Sequence, residues 1–467
     1  MEEKKILCDF IEEKKGIAFD LADYLWEHPE LSMQEYEAAA RVAAALEENG
    51  FSVERGVAGM PTALIAQWGS GSPVLGFSSE YDALPALSQK KDALVHDPVI
   101  AQAPGHGCGH NLMAGGGVLA AIGLKSYMEQ NHLSGTIKVF GTPAEELCIG
   151  KPFMAKEGLF QGVDAFIDWH PSFITRAAAG DTNAYFNVKY HFAGKSAQGA
   201  LPWNGRSSLD GAMLMGHAIE MLREHIKPGN EESPTTLNYA FPDVGNSFPN
   251  VIPAETILWC VGRMKNAEMA EDVLRRLRDC AEGCAKATGT TVTQEVITAT
   301  HELIPSMTLC KAMEQNLRYV GVPAYSEQDK ADALQLQREM GAKETGYPME
   351  IPETVPGSQP VTDSSEYSWH APIAFLNVAL TPSVETGWHS WTVAKCAGSE
   401  VGKRVLETAA KTLALTGLDL LTKPELLQDA KAELQNRLEG RVYKTLLPED
   451  AVPDLDTNKD VMEKYRK

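Results

Sequence analysis

The sequence predicts an α/β fold: a mixed, mostly parallel sheet flanked by helices, with an inserted ferredoxin-like α+β unit. Strand-like and helix-like runs alternate over residues 73–169, an order typical of α/β sheets. From about residue 185 the order becomes strand, helix, strand, strand, helix, strand, which is typical of a ferredoxin-like unit. A chain of 467 residues also exceeds the size that one hydrophobic core usually supports, so two domains are expected.

The first part of the chain predicts helices and strands from its apolar periodicity. The second helix is expected to end at Asn49-Gly50, because glycine readily adopts the conformation that ends a helix. Pro171 is expected to end the last strand of this part. In chain order, the predicted elements are helices over 3–28 and 34–49, strands over 62–68 and 73–78, a helix over 111–130, and strands over 136–141 and 163–169.

The middle of the chain predicts a separate domain. The elements that begin near residue 185 form a unit of about 110 residues, which is long enough to fold around its own core. The chain then returns to the α/β pattern, with a strand over 372–380 and a long helix over 396–416. We therefore expect a larger domain formed by residues 1–184 and 299–467, interrupted by an inserted domain at 185–298.

Composition and charge exclude several classes of protein. The net charge of −21 argues against nucleic-acid and anionic-membrane partners, because both bind basic surfaces. The first residues contain scattered acids instead of the apolar core of a signal peptide, and no apolar run approaches the roughly 18 residues of a membrane span. Eight scattered cysteines favour reduced thiols over a disulfide framework. We therefore expect a cytoplasmic protein with no nucleic-acid or membrane partner.

Residue types that bind metals lie at three separate ends of predicted elements. Cys108 and His110 are two apart across a glycine, so their side chains can converge in a tight loop. Glu145 and Glu146 follow one predicted strand, and His170 ends the next. Thiol, imidazole and carboxylate groups together form the set of donors that a catalytic divalent metal site recruits.

Each of these residues also has an ordinary structural interpretation. Cys108 and His110 alone fit a buried thiol beside a structural histidine, and adjacent acids usually lie on a solvated surface. His389, flanked by two tryptophans, fits either a core histidine or the wall of a partly dry pocket. In a paired role, one glutamate binds metal while the other, desolvated and raised in pKa, takes a proton from water. Taken together, the residues favour a metal-dependent hydrolase.

Five ordered motifs carry a resemblance to a known family. In order, they are Glu80-Tyr81-Asp82-Ala-Leu-Pro, Gly-Cys108-Gly-His110-Asn, Pro-Ala-Glu145-Glu146, Trp-His170-Pro and Trp-His389-Ser. They resemble the amidohydrolase branch of the dinuclear aminoacylase and carboxypeptidase metallopeptidase superfamily, and the resemblance covers essentially the whole chain. It implies hydrolysis of a linear amide bond that joins an acyl or aroyl group to an amino acid, as in p-aminobenzoyl-glutamate.

The resemblance also implies a role for each motif residue. It implies that two divalent ions, zinc or manganese, are held by Cys108, His110, Glu146, His170 and His389. Glu145 is implied to be the general base. Asp82 is implied to orient a ligand histidine, a role that carboxylates commonly have around metal sites.

For the inserted domain, the resemblance implies a lid that also forms a dimer interface. This predicts a homodimer, with a related second subunit as a further candidate partner. Asn250, Arg263, Arg206 and Gln198 are the residues implied to contact the substrate. The family usually has a histidine where this chain has Gln198. An amide still donates a hydrogen bond but carries no positive charge for the developing oxyanion.

Two other functions remain open. The chain fits a dipeptidase or a general N-acyl-amino-acid hydrolase equally well, because the sequence does not place the side chains of the acyl pocket. It also fits a non-catalytic partner subunit with a degraded site, a hypothesis that Gln198 favours. Metal analysis separates the two classes, because about two ions per chain supports an enzyme and none supports a partner subunit.

Overall fold

The computed structural model describes residues 2–229, 231, 233–246 and 248–466. The strands are β1 (Ser52–Arg55), β2 (Leu64–Ser70), β3 (Val74–Glu80), β4 (Gly135–Thr142), β5 (Ala165–Ser172), β6 (Arg176–Ala177), β7 (Ala179–Asp181), β8 (Ala184–Ala193), β9 (Thr236–Asp243), β10 (Glu255–Met264), β11 (Thr291–Thr300), β12 (Pro356–Ser358) and β13 (Ile373–Ala379). The helices are α1 (Glu2–Glu27), α2 (Tyr36–Glu48), α3 (His110–Asn131), α4 (Gly150–Lys156), α5 (Ser208–Arg223), α6 (Ala267–Thr288), α7 (Met307–Val320), α8 (Glu327–Glu339), α9 (Ser365–Ser368), α10 (Trp391–Ala397), α11 (Glu400–Thr422), α12 (Pro424–Leu438) and α13 (Lys459–Met462).

The larger sheet has the strand order β1-β2-β4-β3-β5-β13-β6. Its centre, formed by β4, β3, β5 and β13, is parallel, whereas β1, β2 and β6 pair antiparallel at the two sides. Helices α3, α7 and α11 pack against the central strands, as expected when parallel strands are joined through helical crossovers. The predicted α/β fold with a mixed, mostly parallel sheet is confirmed.

The packing of α3 against β3 fixes the position of the loop before α3. Residues 75–80 of β3 are all buried, because successive side chains point to opposite faces of the sheet and both faces are covered at this central strand. A Cβ atom on Gly117 would lie 2.1 Å from the carbonyl oxygen of Ser78, so only glycine permits the helix to approach the strand this closely. His110, the first residue of α3, is thereby held near the carboxyl end of β3.

The second sheet is antiparallel, with the order β11-β8-β10-β9. Helices α5 and α6 pack against it, and buried and less buried residues alternate along β10, because one face of the strand meets these helices. The chain order β8-α5-β9-β10-α6-β11 has the sequence of strands and helices that the pattern predicts. The domain boundaries at 185 and 298 stay predictions, as does the role of this unit as a lid.

The prediction that Pro171 ends its strand is wrong. β5 continues to Ser172, and Pro171 pairs with Val378 of β13. Pairing between β3 and β5 extends only to Ile167, so within the described residues one edge of β5 has no strand partner at Pro171. Proline is tolerated at such an edge because it interrupts no ladder of hydrogen bonds there. His170 therefore lies within the strand instead of after it.

The last part of the chain also differs from the prediction. The helix expected over 396–416 is split into α10 and α11 around Gly398-Ser399, and α12 begins at Pro424, a residue suited to a first helical turn. Within the part of the chain that the structure describes, no helix is both long and apolar enough to span a membrane.

Replacing Gly117 by alanine is expected to lower the free energy of unfolding by about 1–3 kcal/mol, because the new methyl group overlaps the β3 backbone. Gly283 in α6 is the matched control, since a Cβ atom there meets nothing within 4 Å. Gly283→Ala is expected to raise stability by about 0.5–1 kcal/mol. Urea unfolding of both variants checks this, and equal effects would contradict the close packing of α3 on β3.

Candidate metal centre

The predicted metal-binding residues follow the carboxyl ends of parallel strands. Because β3, β4, β5 and β13 run parallel, the segments after them meet at one edge of the sheet. Cys108 lies in the loop before α3, and His110 is the first residue of that helix. Glu145 and Glu146 lie in the turn after β4. His170 lies at the end of β5, and His389 lies in the loop before α10.

A glycine turn joins the first two of these residues. Gly109 has a φ of 82°, in the left-handed region that glycine adopts without strain. A Cβ atom at this position would lie 3.0 Å from Cγ of Pro171. Because the chain reverses at Gly109, the side chains of Cys108 and His110 can converge on one point.

The structure brings the five predicted ligands together in two groups that share Cys108. In the first group, donor atoms of Cys108, His110 and His170 lie within 4.8 Å of one another. Cys108 Sγ is 3.3 Å from His170 Nε2. In the second group, donors of Cys108, Glu146 and His389 lie equally close, with His389 Nε2 3.4 Å from Glu146 Oε2. Two such groups, each with three donors, fit two neighbouring divalent ions.

The histidine rings are oriented for binding through Nε2. His110 Nδ1 faces two acceptors, the Oδ1 atom of Asp82 at 2.9 Å and its carbonyl oxygen at 3.1 Å, so Nδ1 carries the proton. His170 Nδ1 likewise donates to the carbonyl oxygen of Pro171 at 2.5 Å. Both Nε2 atoms are therefore the ones left to bind a metal once the rings are neutral, the arrangement that oriented metal ligands require.

Several buried polar atoms at this point have no hydrogen-bond partner among the described residues. They are Nε2 of His110, Oε2 of Glu80 and Oε1 of Glu146. Buried polar atoms are nearly always paired in folded proteins, because an unpaired one costs free energy. A cation coordinated by these atoms removes the deficit, so the donor set fits a metal.

Burial and mutual repulsion shift the acids and bases of the centre. Burial, together with the negative charges of Glu80 and Asp82, raises the pKa of Glu145 to about 7. Burial also raises the pKa of Glu146 to about 8, although His110 opposes this shift. These shifts have one cause, which is negative charge held away from water beside other negative charge.

A loop near the N-terminus supports the centre. The Ser32 hydroxyl donates to Asp82 Oδ2 at 2.7 Å, and the same oxygen accepts a hydrogen bond from the backbone N–H of Glu146 at 3.0 Å. Glu35, which is fully buried, accepts from the backbone N–H of Ala144 at 2.8 Å. Sequence reasoning missed Ser32 and Glu35, because neither has a local signal that points to a partner so distant in the chain.

A buried ion network lies beside the metal donors, and sequence reasoning missed it as well. Lys151 Nζ is 2.7 Å from Glu80 Oε1 and 2.5 Å from Asp363 Oδ1, and Ser364 donates to Asp168 at 2.7 Å. Burial disfavours the charged lysine, but Asp363 and Glu80 raise its pKa well above the usual value. Glu80 Oε2 is 3.5 Å from His110 Nε2, so the network reaches the centre.

The four predicted substrate contacts lie in the unit formed by the second sheet with helices α5 and α6, called here the second unit. All four are exposed. Gln198 forms a bridge with Val251, close to Asn250, whose carbonyl accepts a hydrogen bond from Gly199. Arg206 bonds to the carbonyl of Gly205, and Arg263 stacks over Tyr185, 5.6 Å from the ring centre. Among the described residues, no hydrogen bond or ion pair connects these four side chains to the metal donors. The structure therefore does not bring them to the centre.

A comparison with protein families matches residues 76–415 to Peptidase family M20/M25/M40. The chain belongs to this family. It is accordingly a hydrolase of amide or peptide bonds, so the predicted enzyme class is confirmed.

Two curated relatives and one solved structure are similar to this chain. It is 32% identical to a subunit of p-aminobenzoyl-glutamate hydrolase from Escherichia coli K12, over 96% of this chain and 98% of that protein. It is 30% identical to the Xaa-Arg dipeptidase of Mus musculus, over 90% and 89% of the two chains. A dinuclear metal-binding M20 peptidase from Bacillus subtilis shares the fold, with a TM-score of 0.53, 18% identity and coverage of 88% and 99%.

Replacing Lys151 by methionine is expected to lower the free energy of unfolding by about 3–5 kcal/mol, because Glu80 and Asp363 become unpaired buried charges. The double variant Lys151→Met, Asp363→Asn is expected to lose less, since one of those charges is removed. Denaturant unfolding of the metal-free protein measures both. Lys5→Met, which breaks an exposed pair with Asp9, is the control and should cost about 1 kcal/mol or less. A double variant no more stable than Lys151→Met would contradict the pairing.

Proposed function

We propose that this M20 hydrolase cleaves the amide bond between an acyl or aroyl group and an amino acid, with p-aminobenzoyl-glutamate as the leading candidate substrate. The observation that carries the proposal is the pair of donor groups sharing Cys108, with Glu145 beside them. The similarity to the Escherichia coli hydrolase over nearly the whole of both chains supports the choice of substrate.

The proposed centre holds two divalent ions. Cys108, His110 and His170 are the ligands of one, and Cys108, Glu146 and His389 are the ligands of the other. Zinc and manganese are the candidates, since a thiol favours zinc while imidazole and carboxylate donors suit both metals. When bound, such ions lower the pKa of water and polarise a carbonyl group.

Glu145 is the proposed general base. Its Oε2 atom is 3.7 Å from His110 Nε2. Glu145 lies outside the two groups that share Cys108, in a third group of close donors with Glu80 and His110. Its raised pKa of about 7 suits a carboxylate that takes the proton of the attacking water and then passes it to the leaving amine.

The second unit is the proposed source of substrate contacts. Arg263 can supply the positive charge that an anionic amino acid requires, which matters in a chain with a net charge of −21. Asn250, Gln198 and Arg206 are the other proposed contacts. Because all four residues are exposed, they reach the substrate only when this unit closes over the centre.

The proposed assembly is a cytoplasmic homodimer formed through the second unit. β9 lies at an edge of its sheet, where unpaired backbone groups can join another strand. Helix α5 exposes Met213, Leu214 and Met221, which gives this unit an apolar surface suited to a partner. The Escherichia coli relative is named as one subunit of its enzyme, so a related second subunit is a further candidate partner.

Two alternatives are kept. Similarity to the mouse Xaa-Arg dipeptidase supports a dipeptidase or a general N-acyl-amino-acid hydrolase, which would share the same centre. A non-catalytic partner subunit is the alternative from another class, and the uncharged Gln198 is the residue that favours it.

Glu145→Gln is expected to lower the rate of hydrolysis by about 10²–10⁴-fold, because the amide cannot accept the proton. Metal content should stay near that of the unmodified protein, since Glu145 belongs to neither group that shares Cys108. Glu302→Gln is the control, because Glu302 is buried and bonds to Ala267 and Arg441. Release of p-aminobenzoate and elemental analysis provide the two measurements. Full activity of Glu145→Gln would remove Glu145 from the mechanism.

Chelation of the metals is expected to abolish hydrolysis, and added zinc or manganese should restore it. Elemental analysis of the reloaded protein should find about two ions per chain. A panel of p-aminobenzoyl-glutamate, N-acyl amino acids and dipeptides then identifies the substrate class by amino-acid release. A preference for dipeptides would favour the dipeptidase alternative. Purified protein that binds no metal would favour the partner subunit.

A further inference from the structure

A loop that follows the first helix contacts a segment near the C-terminus, beside the metal centre. Residues 30–35 form a loop between α1 and α2, and residues 454–466 lie against it. We refer to the first as the support loop and to the second as the C-terminal segment. Both lie outside residues 76–415, the part of the chain that matches the family.

The support loop contacts one segment that orients a metal donor and a second segment that carries one. Ser32 donates to Asp82 Oδ2 at 2.7 Å, and the carbonyl of Glu30 accepts from the N–H of Ala83 at 2.7 Å. On the second segment, Glu35 accepts from the N–H of Ala144 at 2.8 Å. Through Asp82 the loop acts on the ring of His110, and through Ala144 it acts on the turn with the two glutamates.

The C-terminal segment holds the other side of this loop. The side chain of Gln34 is buried, with the residue only 1% exposed, and its amide donates to the carbonyls of Leu455 and Thr457, both at 3.0 Å. Arg466 donates to the backbone carbonyl of Gln34 at 2.7 Å and to its side-chain oxygen at 3.2 Å. Both polar groups of the Gln34 side chain are therefore bonded to the C-terminal segment.

Further contacts strengthen the same attachment. Asn458 donates from Nδ2 to the carbonyl of Ser32 at 3.1 Å, and the N–H of Leu31 lies 3.4 Å from the sulfur of Met462. Met462 is buried although most of its neighbours in the segment are exposed. The segment has turn and helix hydrogen bonds of its own, and its buried residue Met462 lies against the support loop.

We propose that the C-terminal segment braces the metal centre: by bonding to Gln34 it fixes the support loop, and the loop fixes Asp82 and the turn at Ala144. Gln34 is then a positioning residue that touches no metal donor itself. The inference rests on the proposed metal centre. Groups that orient metal ligands commonly contribute about 10–100-fold to metal affinity. The C-terminal segment contacts the support loop, and the support loop contacts such a group, Asp82.

Gln34→Leu in the full chain tests the brace, with Zn²⁺ as the probe and a chromophoric chelator as competitor. Zinc affinity is expected to fall about tenfold, because Asp82 and the Glu145–Glu146 turn lose their fixed positions. Gln337→Leu is the matched control. Gln337 is also fully buried, and it bonds to Thr345 and Gly346 instead of the support loop. The control should lower thermal stability by a similar amount and leave zinc affinity within twofold.

Zinc affinity of Gln34→Leu within twofold of the unmodified protein would overturn the proposal. An equal loss of affinity in Gln337→Leu would also overturn it, since the effect would then be general destabilisation. If Gln34→Leu fails to fold, the double variant Asn458→Ala, Arg466→Ala removes contacts from the C-terminal side and should show the same loss. Zinc binding by the unmodified protein without hydrolysis would refute the proposed function and leave the brace standing.

Discussion

The carboxylate of Asp82 is the interaction on which the rest of the centre depends. One oxygen holds the ring of His110, and the other accepts hydrogen bonds from Ser32 and from the backbone of Glu146. These partners belong to three segments that are far apart in the chain. Burial opposes the charged form of Asp82, but the hydrogen bond and charge of His110 more than offset it, so its pKa stays below the usual value. An ionised Asp82 can therefore orient a ligand from each donor group.

The charge balance of the centre explains why its donors fit cations. The acids gathered around it are Glu80, Asp82, Glu145, Glu146, Asp168 and Asp363. Lys151 neutralises part of this charge through Glu80 and Asp363. Burial, together with the remaining repulsion from Glu80, raises the pKa values of Glu145 and Asp168 to about 7. Divalent ions between the imidazole, thiol and carboxylate donors would supply the positive charge that the protein itself lacks there.

Local patterns predicted most of the fold, and the motifs contain the residues whose donor atoms the structure groups together; prediction failed where partners lie far apart in the chain. The strands and helices that lead to Cys108, His110 and His170 follow from apolar periodicity, and the motifs themselves contain the donors. No local pattern marks Lys151, because its partner Asp363 is 212 residues away. The contact between Gln34 and Arg466 joins residues 432 apart. Exposed residues such as Arg263 were named from a resemblance, and within the described part of the chain no hydrogen bond or ion pair joins them to the centre.

Some residues in the turns that carry the metal donors have strained backbone conformations. Besides Gly109, three described residues without glycine's freedom have positive φ in these turns: Ala144 at 56° and Cys148 at 53°, which flank the Glu145–Glu146 turn, and His389 at 53°. Each such residue costs roughly 1–3 kcal/mol, and the surroundings must compensate for it. Glu35 helps to compensate for the strain at Ala144, because its buried side chain accepts a hydrogen bond from the backbone N–H of Ala144. Strain and support thus occur at the same turn, so the position of the Glu145–Glu146 pair depends on contacts from the N-terminal loop as well as on β4.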